Sequence, residues 1–258
     1  MYDAVVVGAG PAGAAAAKAL CEAGRRVLLV ERFRLPRYKS CSGILIKKSL
    51  GLVKQYFGEE VPSAVCCAPV ENRGMIFTDD KGGEYAFRQE GRNVWRGAFD
   101  GWLVAKAAES GAELLDGTAA IACEEENGAV WVTLQNRERC KVRARYLLDC
   151  EGVTGALKRK LAPGPAQYIT TFQTFNEGRI ALDPHYFYAY LQPELSEYDA
   201  WFNVKDGFLV LGVSVRDAKR AEYFYRRFLS YMEERVSSAA EEEDIEKREM
   251  NLKQFMVD

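Results

Sequence analysis

The spacing of apolar and polar positions changes along the chain and predicts two kinds of sheet. Near the N-terminus, the runs Ala4–Val7 and Arg26–Val30 are apolar enough for buried parallel strands, and a helical segment, Ala14–Ala23, separates them. Beyond Pro163, short segments rich in Tyr and Phe alternate with polar positions, which is typical of antiparallel strands. These later strands are predicted at Ile169–Phe175, Tyr186–Leu191, Ala200–Val204 and Phe208–Val215.

The middle of the chain is predicted to mix helices with short strands. Apolar residues at helical spacing favour helices over Ile44–Phe57 and Phe99–Ser110. A turn rich in Asp and Gly joins the segments Gly74–Thr78 and Glu84–Arg88, which predicts a hairpin. A meander is expected next, and its last part, Tyr146–Cys150, is expected to rejoin the first sheet. The predicted meander strands are Glu113–Leu115, Thr118–Glu124, Ala129–Leu134 and Cys140–Cys150.

The first predicted strand ends in a glycine pattern that is typical of dinucleotide-binding loops. Gly8 permits a tight turn, Gly10 lets the backbone approach a pyrophosphate, and Gly13 lets the helix pack on the strand. Glu31 ends the second strand, where an acid can accept hydrogen bonds from an adenosine ribose. Strand, loop, helix, strand and terminal acid together predict a dinucleotide site. The residues assigned to it are Gly8, Gly10, Pro11, Ala12, Gly13 and Glu31.

Composition excludes several other classes of protein. The 258 residues are 48% hydrophobic and 28% charged, which is ordinary for a soluble globular protein of one or two domains. A net charge of −2 gives no indication of a nucleic-acid partner. The seven cysteines are scattered and form no CxxC pair, which favours a reducing, cytoplasmic location. Because His185 is the only histidine, both a metal centre and a Ser-His-Asp triad are disfavoured.

Three segments resemble motifs of a known flavoprotein family. They are the sequence RGAFDGWL at residues 96–103, CSG at residues 41–43 after a basic loop, and DCEG at residues 149–152. Together with the glycine loop, they resemble the flavin-dependent oxidoreductases of the aromatic hydroxylase fold. Within that fold, the chain is similar to the geranylgeranyl reductase-like branch. The resemblance covers nearly the whole chain and is stronger before Leu161 than after it.

The resemblance implies FAD as the cofactor and the reduction of isolated alkenes in isoprenoid chains. Electrons would come from NAD(P)H or a ferredoxin-like donor. By the same resemblance, Arg96 reaches the cofactor and the backbone near Ala120 lies against the adenine. Cys41 is the proposed catalytic residue, close to flavin and substrate. The remaining residues assigned to cofactor binding are Arg32, Ser42, Gly43, Glu151 and Gly152.

The implied fold class is α/β, with a Rossmann-like three-layer FAD/NAD(P)-binding domain and a discontinuous antiparallel α+β substrate domain. The FAD domain is expected at residues 1–62 and 92–161, and the substrate domain at 63–91 and 162–258. The substrate is expected to be a small isoprenoid-like or lipid molecule, which is compatible with peripheral contact to a membrane. The sequence does not indicate an oligomeric state.

The chain departs from the family pattern at three places. The usual Ala-Asp-Gly is Cys150-Glu151-Gly152 here, and the substrate-domain pattern Tyr-x-Trp-x-Phe-Pro occurs only loosely, at residues 198–204. The family's Gly-Asp stretch, which would contact the ribityl chain, has no counterpart before Asp258, so weak and exchangeable FAD is expected. Two alternatives therefore stay open: a monooxygenase of the same fold and a non-catalytic nucleotide-binding remnant. Disulfide reductases are excluded because a redox cysteine pair and a second G-x-G-x-x-G are missing.

Overall fold

The computed structural model of the chain describes residues 1–153, 155–164, 167–242 and 253–255. The chain divides into two compact units. The first comprises residues 1–39, 51–65 and 95–166, and the second comprises 40–50, 66–94 and 167–258. Residues 40–50, which the sequence analysis assigns to the FAD domain, thus belong to the second unit.

Strands predominate in both units. The strands are β1 (Tyr2–Val7), β2 (Val27–Val30), β3 (Ile44–Ile46), β4 (Cys66–Thr78), β5 (Glu84–Val94), β6 (Glu113–Leu115), β7 (Ala119–Glu126), β8 (Ala129–Gln135), β9 (Arg139–Asp149), β10 (Thr170–Glu177), β11 (Tyr186–Tyr190), β12 (Ala200–Lys205), β13 (Phe208–Val215) and β14 (Lys253–Phe255). The helices are α1 (Pro11–Glu22), α2 (Lys47–Phe57), α3 (Arg96–Glu109), α4 (Ala156–Leu161) and α5 (Ala221–Glu242).

The first unit is built on a six-stranded sheet in the order β6-β2-β1-β9-β8-β7. Residues 4–7 and 27–30 are buried throughout, because strands in the middle of a parallel sheet are covered on both faces. The end of β9 pairs in parallel with β1, as predicted for Tyr146–Cys150. The prediction of Glu113–Leu115 as a meander strand is wrong: it is β6, parallel to β2 at the sheet edge, and α3 supplies the crossover that leads to it.

The second unit is built on an eight-stranded sheet in the order β14-β10-β13-β12-β11-β4-β5-β3. The predicted hairpin is present, and both of its strands are longer than the sequence indicates. The prediction of a helix over Ile44–Phe57 is wrong in its first three residues. They form β3, antiparallel to β5, because backbone pairing there outweighs the helical periodicity. This pairing also explains why residues 40–50 belong to the second unit.

The two faces of the eight-stranded sheet bury different side chains. One face packs against α5 through rings such as Tyr190 and Phe228, whose centroids lie 5.2 Å apart. The opposite face carries a smaller apolar cluster, in which Ile44 of β3 takes part. We call it the second-face cluster; it consists of Phe187, Ala189 and Trp201 with the partly buried Ile44, Met75 and Phe77. Within the described residues, no helix has the length and apolar character needed to cross a membrane.

Candidate cofactor site

Two glycines of the loop between β1 and α1 stand where a side chain would not fit. Gly8 has a φ of +100°, and a Cβ there would overlap the carbonyl oxygen of Cys150, directly after β9. A Cβ on Gly13 would overlap the carbonyl oxygen of Gly8. The helix α1 can therefore pack on the end of β1 only because Gly13 lacks a side chain. These are the structural roles that the G-x-G-x-x-G spacing predicts for its first and third glycines.

Gly10 has a different environment, because no atom lies close enough to overlap a Cβ placed there. The atom nearest to a Cβ placed there is Nη2 of Arg37, at 3.7 Å, which is an ordinary van der Waals distance. Gly10 precedes Pro11 at the start of α1, and no side chain caps this helix end. The first-turn N–H groups, which include those of Ala12 and Gly13, lack an intrahelical acceptor. Together with the helix dipole, they suit an anion, so the loop fits a pyrophosphate.

Glu31 follows β2 and is buried, with 5% of its surface exposed. Its Oε2 accepts the N–H of Ala9 at 3.0 Å, and its Oε1 accepts the N–H of Phe33 at 3.1 Å. The Nε atom of Arg37 lies 3.4 Å from Oε2. Because a carboxylate has about four lone-pair positions and Oε1 has a single donor, Oε1 can still accept a further hydrogen bond, as from a ribose hydroxyl.

A cavity of about 130 Å³ lies beside Glu31 in the first unit. Its walls come from the ends of β1 and β2, the start of β7 and the loop before α4. Arg96 and Gly152 do not line it. The residues assigned to cofactor binding that the cavity brings together are Gly8, Glu31, Arg32, Ala120 and Glu151.

Arg96 begins α3 and forms a two-pronged ion pair with Asp100, one turn later. Its Nε donates to Oδ1 at 2.8 Å and its Nη2 donates to Oδ2 at 2.9 Å. The Asp100 side chain is fully buried, and its Oδ2 also accepts Nη1 of Arg37 at 2.9 Å. Since Arg37 contacts Glu31 as well, the four side chains Glu31, Arg37, Asp100 and Arg96 form a network of two carboxylates and two guanidiniums. We call it the arginine–carboxylate network.

Arg37 and Asp100 are members of this network that the sequence motifs do not predict. The spacing of Arg96 and Asp100 on one helix was an available signal, but the predicted helix begins at Phe99, whereas α3 begins at Arg96. No comparable signal exists for the contact between Arg37 and Asp100, because 63 positions separate them. The fold alone brings these two side chains together.

Glu151 has a structural partner in addition to its place in the cavity wall. Its Oε2 accepts the N–H of Leu157 at 2.8 Å, which caps the beginning of α4. Gly152 has a φ of +81° and open space around it, so it supplies the turn between β9 and α4. Direct contacts of Glu151 and Gly152 with a cofactor stay predictions.

The assigned residues Cys41, Ser42 and Gly43 belong to the second unit. The N–H of Gly43 donates to Sγ of Cys41 at 3.4 Å, and Asn203 Nδ2 donates to the carbonyl of Ser42 at 3.4 Å. Gly43 has a φ of +72°, and a Cβ there would overlap Val94 O and the Lys205 ammonium. The loop is therefore fixed by β5 and β12 just before the chain enters β3.

All seven cysteines in the described residues are free thiols, and the pKa of several of them is raised. Burial raises the pKa of Cys67 to about 12. Burial, with Asp149 as a second cause, also raises the pKa of Cys150. The buried Cys67 and the half-buried Cys150 therefore stay protonated at neutral pH and are poor nucleophiles.

A family model described as an FAD binding domain matches residues 1–254 of this chain. The chain belongs to this FAD binding domain family. FAD is therefore the cofactor, and the chain has the fold of an FAD-dependent oxidoreductase. The glycine loop, the uncapped end of α1 and the cavity at Glu31 fit the ADP half of FAD.

Proteins similar to this chain include a digeranylgeranylglycerophospholipid reductase and a probable electron transfer flavoprotein-quinone oxidoreductase. Digeranylgeranylglycerophospholipid reductase 1 of Methanopyrus kandleri is 32% identical over 75% of this chain and 52% of that protein. A probable electron transfer flavoprotein-quinone oxidoreductase of Escherichia coli is 33% identical over 61% of this chain and 37% of that protein. The chain thus spans about half the length of these curated relatives, or less.

A solved structure confirms the predicted fold class. The geranylgeranyl bacteriochlorophyll reductase-like protein from Thermoplasma acidophilum superposes with a TM-score of 0.78 and 22% identity, covering 89% of this chain and 62% of that one. Together with the Methanopyrus relative, it confirms the resemblance to geranylgeranyl reductase-like flavoproteins that the sequence motifs indicate.

Proposed function

We propose that this chain supplies the FAD site and one substrate wall of an oxidoreductase that reduces a carbon–carbon double bond of an isoprenoid-like lipid. The name of the Methanopyrus relative supports the substrate class. In this proposal the enzyme works in the cytoplasm, in peripheral contact with the membrane that holds its lipid substrate. NAD(P)H or a ferredoxin-like protein would deliver the electrons, and the Escherichia coli relative favours a protein donor.

The observation that carries the proposal is the buried apolar cluster that is joined directly after the Cys41–Gly43 loop. Ile44 follows the Cys41–Gly43 loop directly and packs into the second-face cluster. That cluster is built from aromatic and aliphatic side chains, which suit an isoprenoid chain better than a charged or highly polar substrate. The loop is anchored because the carbonyl of Gly43 accepts the N–H of Val94 at 2.9 Å and the carbonyl of Ser42 accepts Nδ2 of Asn203 at 3.4 Å, so Cys41 would be presented at a fixed position beside this cluster.

The residues assigned to the site have the following proposed parts in the reaction. The glycine loop and Glu31 hold the ADP half of FAD, while Arg32, Ala120 and Glu151 line the adenosine cavity. The Ser42–Gly43 backbone and Cys41 contact the cofactor and the alkene, and the second-face cluster excludes water. When bound, FAD supplies hydride transfer to one alkene carbon, and the other carbon receives a proton.

The test is hydrogenation of a geranylgeranyl lipid by the chain loaded with FAD. The flavin is reduced with dithionite without oxygen, the lipid is added, and the product mass is measured. We expect a gain of two hydrogen atoms for each double bond that is reduced. Cys41→Ser should slow this reaction, whereas Cys140→Ser, at an exposed position, should leave it unchanged.

Two outcomes would contradict the reductase proposal. An oxygen-dependent product that carries an added oxygen atom would favour the monooxygenase of the same fold. Binding of FAD without conversion of either kind would favour the non-catalytic nucleotide-binding remnant. Equal rates in the Cys41→Ser and Cys140→Ser variants would remove Cys41 from the site.

A further inference from the structure

We propose that Arg37 is a cationic ligand of the FAD pyrophosphate, fixed beside the glycine loop by two buried carboxylates. The inference rests on FAD binding by this family and does not depend on the reaction or its substrate. It adds a charged side chain to a site whose other phosphate contacts are backbone N–H groups and a helix end. All of the residues involved belong to the first unit.

Two nitrogens of the Arg37 guanidinium are held by carboxylates of the first unit. Only 11% of the side chain is exposed, although it stands in a loop with several freely exposed cations. Nε lies 3.4 Å from Glu31 Oε2, and Nη1 donates to Asp100 Oδ2 at 2.9 Å. The third nitrogen, Nη2, lies 3.7 Å from the position of a Cβ on Gly10. Nη2 therefore lies beside the backbone of Gly10, directly before α1.

This position is where a dinucleotide phosphate would be expected. Gly10 immediately precedes α1, whose uncapped N-terminus attracts an anion. A guanidinium is always charged and offers its N–H groups in a fixed plane that matches phosphate oxygens. Because two of its nitrogens are already fixed by carboxylates, Arg37 would lose little conformational freedom when Nη2 meets a phosphate.

Each carboxylate that holds Arg37 also accepts hydrogen bonds from other donors. Glu31 accepts the N–H groups of Ala9 and Phe33. Asp100 accepts two hydrogen bonds from Arg96. The four charges of the arginine–carboxylate network balance one another, and the approach of a pyrophosphate to Nη2 adds attraction without leaving a buried acid unpaired.

A purely structural role for Arg37 makes a different prediction. In that case Arg37 would only position Glu31, and its loss would weaken every ligand that uses the ribose contact. Adenosine and ADP separate the two roles, because both offer a ribose and only ADP offers a pyrophosphate. The comparison uses binding alone, so it is independent of turnover.

The experiment measures the dissociation constants of FAD, ADP and adenosine for the parent chain and for Arg37→Met. FAD binding is followed by quenching of flavin fluorescence, and ADP and adenosine are measured by competition. Loss of one charge-assisted contact should weaken FAD and ADP by about ten- to a hundredfold. Adenosine should change by less than about twofold, and the ADP constant should become less sensitive to salt. An equal loss for adenosine and ADP, or no loss for ADP, would overturn the proposal.

Arg34→Met is the matched control. Arg34 stands in the same loop, but its side chain is 87% exposed and its nearest acid, Asp116, is 3.7 Å away. All three constants should stay at the parent values. If Arg37→Met fails to fold, Arg37→Lys keeps the charge and loses the planar fork; it should still weaken ADP more than adenosine. A lysine variant that weakens both ligands equally would also contradict the proposal.

Discussion

Two arginine–carboxylate pairs with the same helical spacing lie in opposite surroundings, one in each unit. In the first unit, Arg96 pairs with Asp100 on α3, and the side chains are 18% and 0% exposed. In the second unit, Arg226 pairs with Glu222 on α5, and the side chains are 75% and 72% exposed. Both arginines use Nε and Nη2, but Arg96 donates to both oxygens of Asp100, whereas both nitrogens of Arg226 donate to Oε1 of Glu222. The two pairs therefore differ in geometry as well as in burial and in further partners.

The difference shows how the first unit fixes its cofactor site. Water competes for the α5 pair and screens it, so its geometry constrains little else. The α3 pair is closed off from water and is joined through Arg37 to Glu31, the proposed ribose ligand. The second-face cluster, by contrast, contains no ion pair and is shaped by packing alone. The proposed cofactor site of the first unit is thus shaped by buried ion pairs, whereas the second-face cluster of the second unit is shaped by apolar packing.

Breaking the buried pair should give the largest effect. Asp100→Asn leaves Arg37 and Arg96 without their shared carboxylate in a buried place, and the free energy of unfolding should fall by about 3–5 kcal/mol. Urea titration followed by circular dichroism measures this change. Glu222→Gln is the matched control, and it should change the same quantity by less than about 0.5 kcal/mol. Similar losses in both variants would contradict the importance that we assign to burial.

The contact of Glu31 with the ribose should give the next largest effect. Glu31→Ala removes a charge-assisted acceptor worth about 1.5–3 kcal/mol, so FAD affinity should fall by about ten- to a hundredfold. Fluorescence titration with FAD measures this loss of affinity. An unchanged titration curve would remove Glu31 from the site.

Asp116→Ala separates this contact from a general effect on the loop. The Asp116 side chain also binds the loop backbone, because its Oδ2 accepts the N–H of Leu35 at 2.8 Å. It does not line the cavity at Glu31. We therefore expect a smaller loss of FAD affinity than for Glu31→Ala. Equal losses would mean that both acids act only by ordering the loop.

The elements that the sequence predicts well are those determined by neighbours in the chain. The β1–loop–α1–β2 segment is found within a few residues of its predicted bounds, because apolar runs and glycine spacing are local signals. Ile44–Ile46 and Glu113–Leu115 were misassigned because their partners are distant strands, β5 and β2. The same limit applies to the site: Glu31 ends a predicted strand, whereas Arg37 acquires its role only through contacts made by folding.

Gly10 offers a way to separate binding from stability within the glycine loop. Its φ of −82° and ψ of −174° are extended backbone angles that alanine adopts readily, and its nearest neighbour leaves room for a Cβ. Gly10→Ala should lower the free energy of unfolding by less than about 1 kcal/mol, since only the helix cap changes. FAD affinity should nevertheless fall about tenfold, because the methyl group occupies the approach to the pyrophosphate.

Gly13→Ala is the contrasting variant, because its Cβ would overlap the carbonyl oxygen of Gly8. Both the thermal midpoint and FAD affinity should fall in that variant. If Gly10→Ala destabilises the chain as much as Gly13→Ala, the space at Gly10 is not a ligand site. If Gly10→Ala binds FAD like the parent chain, the pyrophosphate lies elsewhere.

The smallest expected effect is a change in the alkylation rate of Cys41, and it tests whether the Cys41–Gly43 loop contacts the cofactor. Iodoacetamide reacts with thiolates, and the raised pKa values of Cys67 and Cys150 make these two thiols slow to react near neutral pH. Bound FAD should slow the alkylation of Cys41, measured peptide by peptide with mass spectrometry, because the proposed flavin contact would cover its sulfur. The exposed Cys140 serves as the internal control, and its rate should not change. Should FAD leave the rate at Cys41 unchanged, or slow both cysteines equally, the Cys41 loop would be no part of the flavin site.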